Sequence, residues 1–408
     1  MLDRLAQTLL ERCDQLAAYT EVPGQITRTF LSAPMREVHR QVRGWMEHAG
    51  MQVRLDAVGN LIGTYPAATP DAPKLLIGSH LDSVPDAGRY DGVLGVLLGI
   101  ALVAALGRRR LGFALEVVGF SEEEGVRFKV PFLGSRAFAK SFDPGLLELT
   151  DAHGVSVAQA IRAYGLEPAE IPAAAQGDYL GYLEFHIEQG PVLEAEHLPL
   201  GIVEAIVGQN RLELEFGGKA AHAGTTPMHL RRDALAGAAQ FITDVEYLAR
   251  QTPGLVATVG QMAVKPGAAN VIPGRVRLSL DLRHARDEVR LDVLERLRHI
   301  AGRIAQERGL AVTFTPKLDQ PAVPMDGHLQ SLLAAAMRDL GYSPYKLQSG
   351  AGHDAMILAQ RMRAAMLFLR SPGGISHNPA EAVFPEDVEA ALKVGLRFLE
   401  RLDSSLRG

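Results

Sequence analysis

The sequence predicts an α/β fold: a mostly parallel, doubly wound sheet with a smaller α+β (ferredoxin-like) unit inserted into it. The chain has 408 residues, which is more than one ordinary hydrophobic core holds. Strand-like and helix-like runs alternate over the first half, as in parallel sheets. Residues 209–320 have a different order of elements. We therefore expect one domain made of residues 1–208 and 321–408, and a second made of residues 209–320.

The first half of the chain begins with two amphipathic helices, predicted at residues 3–19 and 35–48 from apolar residues at helical spacing. The runs that follow are, in order, strands at 52–56, 60–65 and 74–80, a helix at 92–106 and a strand at 113–120. The apolar run from Val93 to Leu106 falls short of the ~20 residues that a membrane span needs. We expect a buried helix and no membrane partner.

The inserted unit reads strand, helix, strand, strand, helix, strand. These elements are predicted at 211–216, 231–250, 254–264, 275–283, 287–307 and 311–315. Thr225, Thr226 and Pro227 are the predicted cap and first-turn residues of its first helix.

The net charge and the cysteine count indicate which partners and which cellular location to expect. The net charge is −5 and no basic stripe is present, which disfavours nucleic acid as a partner. Cys13 is the only cysteine, so no intramolecular disulfide can form, and this fits a reducing, cytoplasmic location. The first helix carries charges among its apolar residues, which is not typical of a signal peptide.

The stretch KLLIGSHLDSVPDAGRYDGVLGV carries the first chemical signal. His80 ends a predicted parallel strand and Asp91 precedes the next helix, so both lie where open α/β sheets bind ligands. An imidazole and a carboxylate suit Zn²⁺, and Asp82 is placed to accept the other ring N–H of His80. The alternative is a loop-capping histidine with aspartates as turn residues.

A run of glutamates, SEEEGVRF, directly follows the strand at 113–120. Like charges this close repel, so a cation or a shared proton is expected to stabilise them. We assign Glu124 to metal ligation and Glu123 to the general base that acts on water. The alternative is a solvated helix N-terminus, where the helix dipole favours acids.

Two more strands carry a histidine at or after their end. His186 lies in GYLEFHIEQGP, and His377 lies in the glycine-rich loop SPGGISHNPAE after the run 364–369. A lone strand histidine is usually a core residue, but four strands that each end in a candidate ligand are harder to attribute to chance. The expected ligands of two adjacent divalent ions, with Asp91 as the bridge, are His80, Asp91, Glu124, His186 and His377.

The chain resembles the ureido-hydrolysing branch of the dizinc amidohydrolase and exopeptidase superfamily, which contains N-carbamoyl-L-amino-acid hydrolases and allantoate amidohydrolases. The motifs that carry the resemblance are, in order, GSHLDSVPDAGRYDG, SEEEGVRF, FLGSRA, HIEQGP, AHAGTTPMHLRRDAL, NVIPG, DLR, SGAGHDA and GISHNP. They extend from near residue 26 to near residue 382 when the flanking segments are included.

The resemblance implies a role for each ligand. It implies that His80 and His186 bind one ion, Glu124 and His377 the other, and Asp91 both. It supports Glu123 as the base and Asp82 as the residue that orients His80. His186 stands where peptidases of the superfamily usually carry a carboxylate, which favours the ureido branch.

The resemblance also implies that the inserted unit is a lid that forms a homodimer. It assigns His222 to the substrate carbonyl across the dimer, as an oxyanion stabiliser. The implied substrate contacts are Gln189, Gln209, Asn270, Arg283, Gly352 and His353. A guanidinium matches a carboxylate with two hydrogen bonds, which favours Arg283, and a surface salt bridge is its alternative role.

The function predicted is hydrolysis of a linear C–N bond in a small ureido substrate, with loss of ammonia and carbon dioxide. The segment Ile26–Asn60 and the motifs around His80 and Glu123 resemble plant-type allantoate amidohydrolases, so allantoate, in allantoin nitrogen catabolism, is the expected substrate. The alternatives are an N-carbamoyl-L-amino-acid hydrolase, a dipeptidase or aminoacylase, and a noncatalytic metal-binding protein. Two Zn²⁺ or Mn²⁺ ions are expected, and Co²⁺ or Ni²⁺ would suit the same ligands.

Overall fold

The computed structural model describes residues 2–173 and 178–406. Its α-helices are α1 Leu2–Ala17, α2 Ala33–His48, α3 Val93–Leu106, α4 Leu133–Phe138, α5 Val157–Tyr164, α6 Val192–Ala195, α7 Ala234–Gln251, α8 Asp287–Arg308, α9 Gly327–Asp339, α10 Asp354–Leu358 and α11 Pro385–Ser405. Short 3₁₀ helices lie at Pro144–Glu148, Pro168–Ala173, Met228–Leu230 and Pro372–Gly374.

The strands alternate with these helices along the chain. They are β1 Gln52–Leu55, β2 Leu61–Tyr65, β3 Lys74–His80, β4 Ala114–Phe120, β5 Tyr179–Ile187, β6 Leu200–Ile206, β7 Gly208–Gly217, β8 Ala221–His222, β9 Val256–Thr258, β10 Met262–Lys265, β11 Val271–Ile272, β12 Arg275–His284, β13 Ala311–Gln320, β14 Val323–Pro324, β15 Lys346–Ser349 and β16 Ala364–Leu369. The chain divides into two compact units, the first Met1–Glu204 with Met325–Gly408 and the second Ala205–Pro324.

The central sheet has the strand order β1-β2-β4-β3-β5-β16-β6, and β15 pairs with β6. β4, β3, β5 and β16 are parallel neighbours, whereas β1, β2 and β6 join antiparallel at the edges. Parallel strands place their carboxyl ends at one edge of a sheet, so the segments after β3, β4, β5 and β16 meet there. The predicted fold class is confirmed.

The two faces of this sheet carry different residues because side chains alternate along a strand. In β5, Leu183, Phe185 and Ile187 belong to the main hydrophobic core with α3 and α11. Glu184 points to the other face, where its carboxylate accepts a hydrogen bond from the backbone N–H of Ala355 in α10. His186 shares the face of Glu184, away from the apolar core.

The second unit has its own antiparallel sheet, in the order β10-β12-β7-β13, with β9 also paired to β12. Buried and more exposed residues alternate along β7 and β12. The buried side chains form a separate core with α7 and α8. The unit is therefore an α+β sandwich with a sheet on one side and two helices on the other.

Two element predictions in this unit are wrong. The single strand expected at 254–264 is two strands, β9 and β10, because the chain breaks from the ladder around Gly260. The helix expected from residue 231 begins at Ala234, and Asp233 caps it by accepting the backbone N–H groups of Leu235 and Ala236. Thr225, Thr226 and Pro227 precede a 3₁₀ turn and cap no α-helix.

The apolar helix α3 is buried, as predicted, except at Ala104 and Ala105 near its end. Among the described residues, no helix combines the length and the apolar character that crossing a bilayer requires.

The close packing of α3 against β5 gives a test of the fold. A Cβ at Gly95 would lie 2.1 Å from the carbonyl oxygen of Phe185, which is backbone and cannot move aside cheaply. We expect Gly95→Ala to lower the free energy of unfolding by about 1–3 kcal/mol or more. Gly44 in α2 is the matched control, since a Cβ there meets nothing within 4 Å. Gly44→Ala should raise stability by about 0.5–1 kcal/mol. Urea unfolding measures both, and a Gly95→Ala variant as stable as wild type would contradict the close contact.

Candidate functional site

His80 and His186 lie side by side at the carboxyl edge of the central sheet. In the parallel pair β3 and β5, Gly78 stands opposite Glu184, and the histidines follow two residues later on each strand. Their ring centroids are 5.8 Å apart, and both side chains are buried. The strand pairing therefore brings together two ligands that are separated in the sequence by more than a hundred residues.

Main-chain carbonyl groups orient both rings. The Nδ1 atom of His80 lies 3.0 Å from the carbonyl oxygen of Asp82, and Nδ1 of His186 lies 2.9 Å from that of Ile187. A carbonyl oxygen can only accept, so each Nδ1 is assigned a proton, and in the neutral ring Nε2 keeps its lone pair. Both lone pairs are then available to bind a cation.

Asp91 stands between the imidazoles, with one oxygen on each side. Its Oδ1 atom is 3.5 Å from Nε2 of His80 and 3.2 Å from Nε2 of His186. Its Oδ2 atom is 3.2 Å from Nε2 of His377. The next residue, Gly92, has φ 68°, and a Cβ there would lie 2.4 Å from the His80 ring, so only glycine fits this turn into α3.

Two groups of potential ligands share this carboxylate. We call His80, His186 and Asp91 the inner site, and Asp91, Glu124 and His377 the outer site. Glu124 Oε1 is 3.7 Å from Nε2 of His377. The inner site is fully buried, whereas the side chain of His377 is 49% exposed. Two further groups, His80 with Glu123 and Glu124, and Glu184 with His186 and His353, also have ligand atoms within 4.8 Å of one another.

These residues fit divalent ions. Two ligand atoms on one tetrahedral Zn²⁺ with bonds near 2.0 Å stand about 3.3 Å apart, close to the separations around Asp91 Oδ1. Asp91 Oδ1 and His186 Nε2 are also buried with no hydrogen-bond partner in the described part of the chain. Buried polar atoms are normally satisfied, so two unpaired acceptors that face each other indicate a bound cation.

The pKa shifts of His80 and Asp91 also favour a cation at this position. Burial alone lowers the pKa of His80, but the carboxylates of Asp91, Glu123 and Asp82 raise that pKa well above its usual value. Burial raises the pKa of Asp91, but its three imidazole neighbours hold that pKa well below the usual range. The carboxylates thus favour positive charge at the centre of the site, which divalent ions supply.

The acidic residues near the site have raised pKa values. Burial and the neighbouring Glu124 and Asp354 carboxylates raise the pKa of Glu123 well above its usual value. Burial and Asp91 raise the pKa of Glu124 to about 7. Both residues are largely buried, and the next helix, α4, begins only at Leu133, so this run of glutamates is not a solvated helix terminus.

Asp82 has a different contact from the one predicted. Its backbone carbonyl, not its carboxylate, makes the hydrogen bond to His80; the carboxylate Oδ1 is 3.7 Å from that ring nitrogen. The carboxylate instead accepts the backbone N–H groups of Glu123 and Glu124, each at 3.1 Å. Asp82 therefore positions the two glutamates directly and His80 only through its main chain.

Glu122, the first glutamate of the run, lies outside the metal-ligand groups. Its carboxylate accepts backbone N–H groups of Phe30, Arg127 and Phe128. Burial, with nearby Asp82, raises its pKa to about 8. Its backbone has φ 53°, and the chain turns here so that successive glutamates point in different directions. Glu122 therefore connects its own loop with the segments that contain Phe30 and Arg127.

Gln189, Gly352 and His353 line a cavity of about 190 Å³ with the candidate ligands. The amide nitrogen of Gln189 donates to Asp91 Oδ2 at 3.0 Å and to Ser376 Oγ at 3.2 Å. His353 Nε2 lies 2.8 Å from Ser349 Oγ, and burial together with His186 lowers the pKa of His353 well below its usual value. His353 is therefore a neutral imidazole.

The other predicted residues lie in the second unit, in two pairs. His222 and Asn270 are neighbours on the β8–β11 ribbon, where the carbonyl of Asn270 accepts the N–H of Ala223. Gln209 and Arg283 stand opposite each other on β7 and β12. Gln209 donates to Gln320 at 3.1 Å.

Arg283 makes the salt bridge that was the alternative to its predicted role. Its Nε and Nη2 atoms donate to the two carboxylate oxygens of Asp281 at 2.7 and 2.9 Å. Arg211 donates to the same carboxylate at 3.0 Å. A substrate carboxylate that binds Arg283 would have to share the guanidinium group with Asp281 or displace Asp281 from it.

Three residues near the ligands were missed from the sequence. Glu184 accepts the hydroxyl of Ser79 at 2.9 Å and faces the histidines. Its position two residues before His186 in a strand was a usable signal, because such residues share a face. Ser376 and Glu381 contact Asp91 or its backbone and lie in the loop of His377, where no local pattern marked them.

The chain is similar to known hydrolases in both sequence and fold. The sequence model of peptidase family M20/M25/M40 matches residues 76–401. The chain is 43% identical to an N-carbamoyl-L-amino acid amidohydrolase of Geobacillus stearothermophilus over 397 residues, which cover 96% of each chain. It is 37% identical to allantoate deiminase of Arabidopsis thaliana, with 98% of this chain and 83% of that one covered. A hydantoinase/carbamoylase family amidase from Burkholderia ambifaria superimposes with a TM-score of 0.89 at 36% identity, over 97% of each chain.

Proposed function

Because the chain belongs to peptidase family M20/M25/M40, we propose that it hydrolyses the ureido group of allantoate at a centre of two divalent ions. Its relatives are amidohydrolases of the N-carbamoyl-amino-acid and allantoate type, which act on C–N bonds. The observation that carries the proposal is Asp91, whose two oxygens each face a separate group of ligands. A carboxylate in this position can bridge two ions.

The inner site would hold one ion through His80, His186 and Asp91, and the outer site the other through Asp91, Glu124 and His377. The pair, when bound, supplies a polarised substrate carbonyl and a more acidic water. Zn²⁺ or Mn²⁺ is proposed, and Co²⁺ or Ni²⁺ suits the same nitrogen and oxygen ligands.

Glu123 is proposed to take the proton of the attacking water and return it to the leaving nitrogen. Burial raises the pKa of Glu123 well above its usual value, and a carboxylate with a raised pKa is a stronger base. Asp82 fixes its backbone, so the carboxyl group approaches the ligands in a defined direction. Neutral His353 and the amide of Gln189 would hydrogen-bond the ureido group in the same cavity.

Allantoate carries two ureido groups and a carboxylate on one carbon, so its pocket needs polar partners where an N-carbamoyl-amino-acid hydrolase would offer an apolar cleft. The amide oxygen of Gln189 is buried with no hydrogen-bond partner among the described residues, so it is an acceptor available to a ureido N–H. An N-carbamoyl-L-amino acid is the second candidate, favoured by the 43% identity to such an enzyme. A peptidase is disfavoured because His186 replaces the usual carboxylate.

The second unit is proposed to be a lid and dimerisation domain. Gln209, Asn270 and Arg283 would bind the substrate carboxylate, and His222 of one copy would stabilise the oxyanion in the site of another. Arg283 would exchange its contact with Asp281 for the substrate carboxylate. A cytoplasmic location stays a prediction based on the single cysteine.

We expect Glu123→Gln to lower kcat by at least about 100-fold while both metal ions stay bound, because the general base is lost and the ligands are not. Kinetics and metal analysis of the purified variant test this. The matched control is Glu116→Gln, which changes a buried carboxylate in β4 that is paired with Lys74. It should retain both metal and activity. Loss of an ion from Glu123→Gln would show that the two glutamates have been assigned the wrong way round.

We expect kcat/KM for allantoate to exceed that for N-carbamoyl-L-methionine by at least about tenfold, or roughly 1.4 kcal/mol. A buried polar group left unpaired costs about 1–3 kcal/mol, which is sufficient for this discrimination. Ammonia release is measured for both substrates with the same metal. Equal or reversed preference would assign the protein to the N-carbamoyl-amino-acid hydrolases, and no release from either with Mn²⁺ or Zn²⁺ would favour a noncatalytic metal-binding protein.

We expect mixed dimers of Glu123→Gln and His222→Ala chains to regain part of the activity that each variant lacks. Each mixed dimer would contain one site with both groups intact. Activity is followed after subunit exchange, which tagged copies verify, and each variant mixed with itself is the control. No recovery after verified exchange would contradict a site shared between copies.

A further inference from the structure

Glu381 links the segments that carry two of the three outer-site ligands, Asp91 and His377. Its Oε1 atom accepts the backbone N–H groups of Tyr90 and Asp91, at 2.8 and 3.1 Å. Its Oε2 atom lies 3.2 Å from the hydroxyl of Ser376. We call Glu381, Ser376 and these two backbone N–H groups the clasp. It joins positions that are 290 residues apart in the sequence.

The clasp also reaches the bridging carboxylate. Ser376 Oγ is 3.1 Å from Asp91 Oδ2, the oxygen that faces His377, and it accepts a hydrogen bond from Gln189 at 3.2 Å. A hydroxyl has one hydrogen to donate, so Ser376 serves either Asp91 or Glu381 at a given moment. Both choices keep the loop of His377 against the loop of Asp91.

The space around Glu381 is tightly filled. Its carboxyl group is buried, and a Cβ on Gly88 would lie 2.3 Å from it. The turn after His377, whose φ is 53°, brings the backbone N–H of Glu381 to the carbonyl of Asn378 at 3.0 Å. The carboxylate therefore has little freedom to leave the clasp.

The two metal sites depend on the clasp to different degrees. Both sites share Asp91. The inner site takes its other two ligands, His80 and His186, from the hydrogen-bonded strands β3 and β5. The outer site takes Glu124 from a turn and His377 from a half-exposed loop. Ligands on loops need other contacts to stay in place before a metal binds.

We propose that Glu381 is a positioning residue of the outer site: its clasp holds Asp91 and the His377 loop in the arrangement that the second ion requires. This inference rests on the proposed two-ion centre. Glu381 would act through Asp91 and Ser376 and would not touch the ions or the substrate.

The test is a titration of metal-free protein with Zn²⁺ against a chelator, which gives a dissociation constant for each ion. Contacts of this kind are worth roughly 10- to 100-fold in metal affinity. We expect Glu381→Ala to weaken the second ion by at least about tenfold and the first by less than about threefold. Glu381→Gln keeps an oxygen for the two backbone N–H groups and should stay within about threefold of wild type for both ions.

Glu194→Ala is the matched control. Glu194 accepts the N–H of Gly373 in the same loop at 2.9 Å but has no contact with a candidate ligand. It should leave both affinities unchanged. Amide hydrogen exchange gives a readout independent of metal, because Tyr90 and Asp91 should exchange faster in metal-free Glu381→Ala than in wild type.

Equal affinity of wild type and Glu381→Ala for the second ion would overturn the inference, as would an equal loss in Glu194→Ala. If Glu381→Ala does not fold, the same titration is done with Ser376→Ala. An affinity for the second ion equal to that of wild type would then overturn the inference. If wild-type protein binds no second ion, the proposed two-ion centre is refuted. If wild type and all variants bind two ions equally well, the two-ion centre stands and only the role of Glu381 is refuted.

Discussion

The arrangement depends on one buried carboxylate, Asp91, surrounded by imidazoles. A buried charge without partners costs several kcal/mol, so the surrounding structure must supply compensating groups at fixed positions. Parallel strands supply His80 and His186, because pairing of β3 with β5 places both on the same face at the same edge. Gly92 permits Asp91 to approach the His80 ring. The sheet, the turn into α3 and the loop of His377 all meet at this carboxylate.

The sequence was informative where a residue type and a strand end coincide. His80, Asp91, His186 and His377 could be selected because candidate ligands recur at the ends of several apolar strands. The structure places their ligand atoms in two groups that share Asp91. The fold class followed from the alternation of strands and helices. Helix limits inside the inserted unit were less predictable, since Thr225 and Thr226 can also cap a helix and the sequence does not show that Asp233 is the residue used.

Contacts that depend on main-chain direction could not be predicted in this way. Asp82 contacts His80 through its backbone carbonyl, and its carboxylate accepts two backbone N–H groups. The sequence identifies the residue but not which of its groups makes which contact. Glu122, Glu123 and Glu124 are alike in sequence, but the positive φ of Glu122 and the hydrogen bonds from Glu123 and Glu124 to Asp82 give them different surroundings. Glu381 ends the stretch SPGGISHNPAE, but nothing in that stretch indicates its role. Its partners, such as the backbone N–H of Tyr90, lie in a loop distant in the sequence.

The orientation of the two buried rings has a consequence for how this centre tolerates change. Carbonyl groups of the main chain hold Nδ1 of His80 and of His186, and every amino acid carries such a carbonyl. Substitution of the side chain at position 82 or 187 therefore leaves the ring-orienting acceptor in place, provided the backbone keeps its path. The alignment of the two rings therefore depends on the path of the main chain and not on which side chains stand at these two positions.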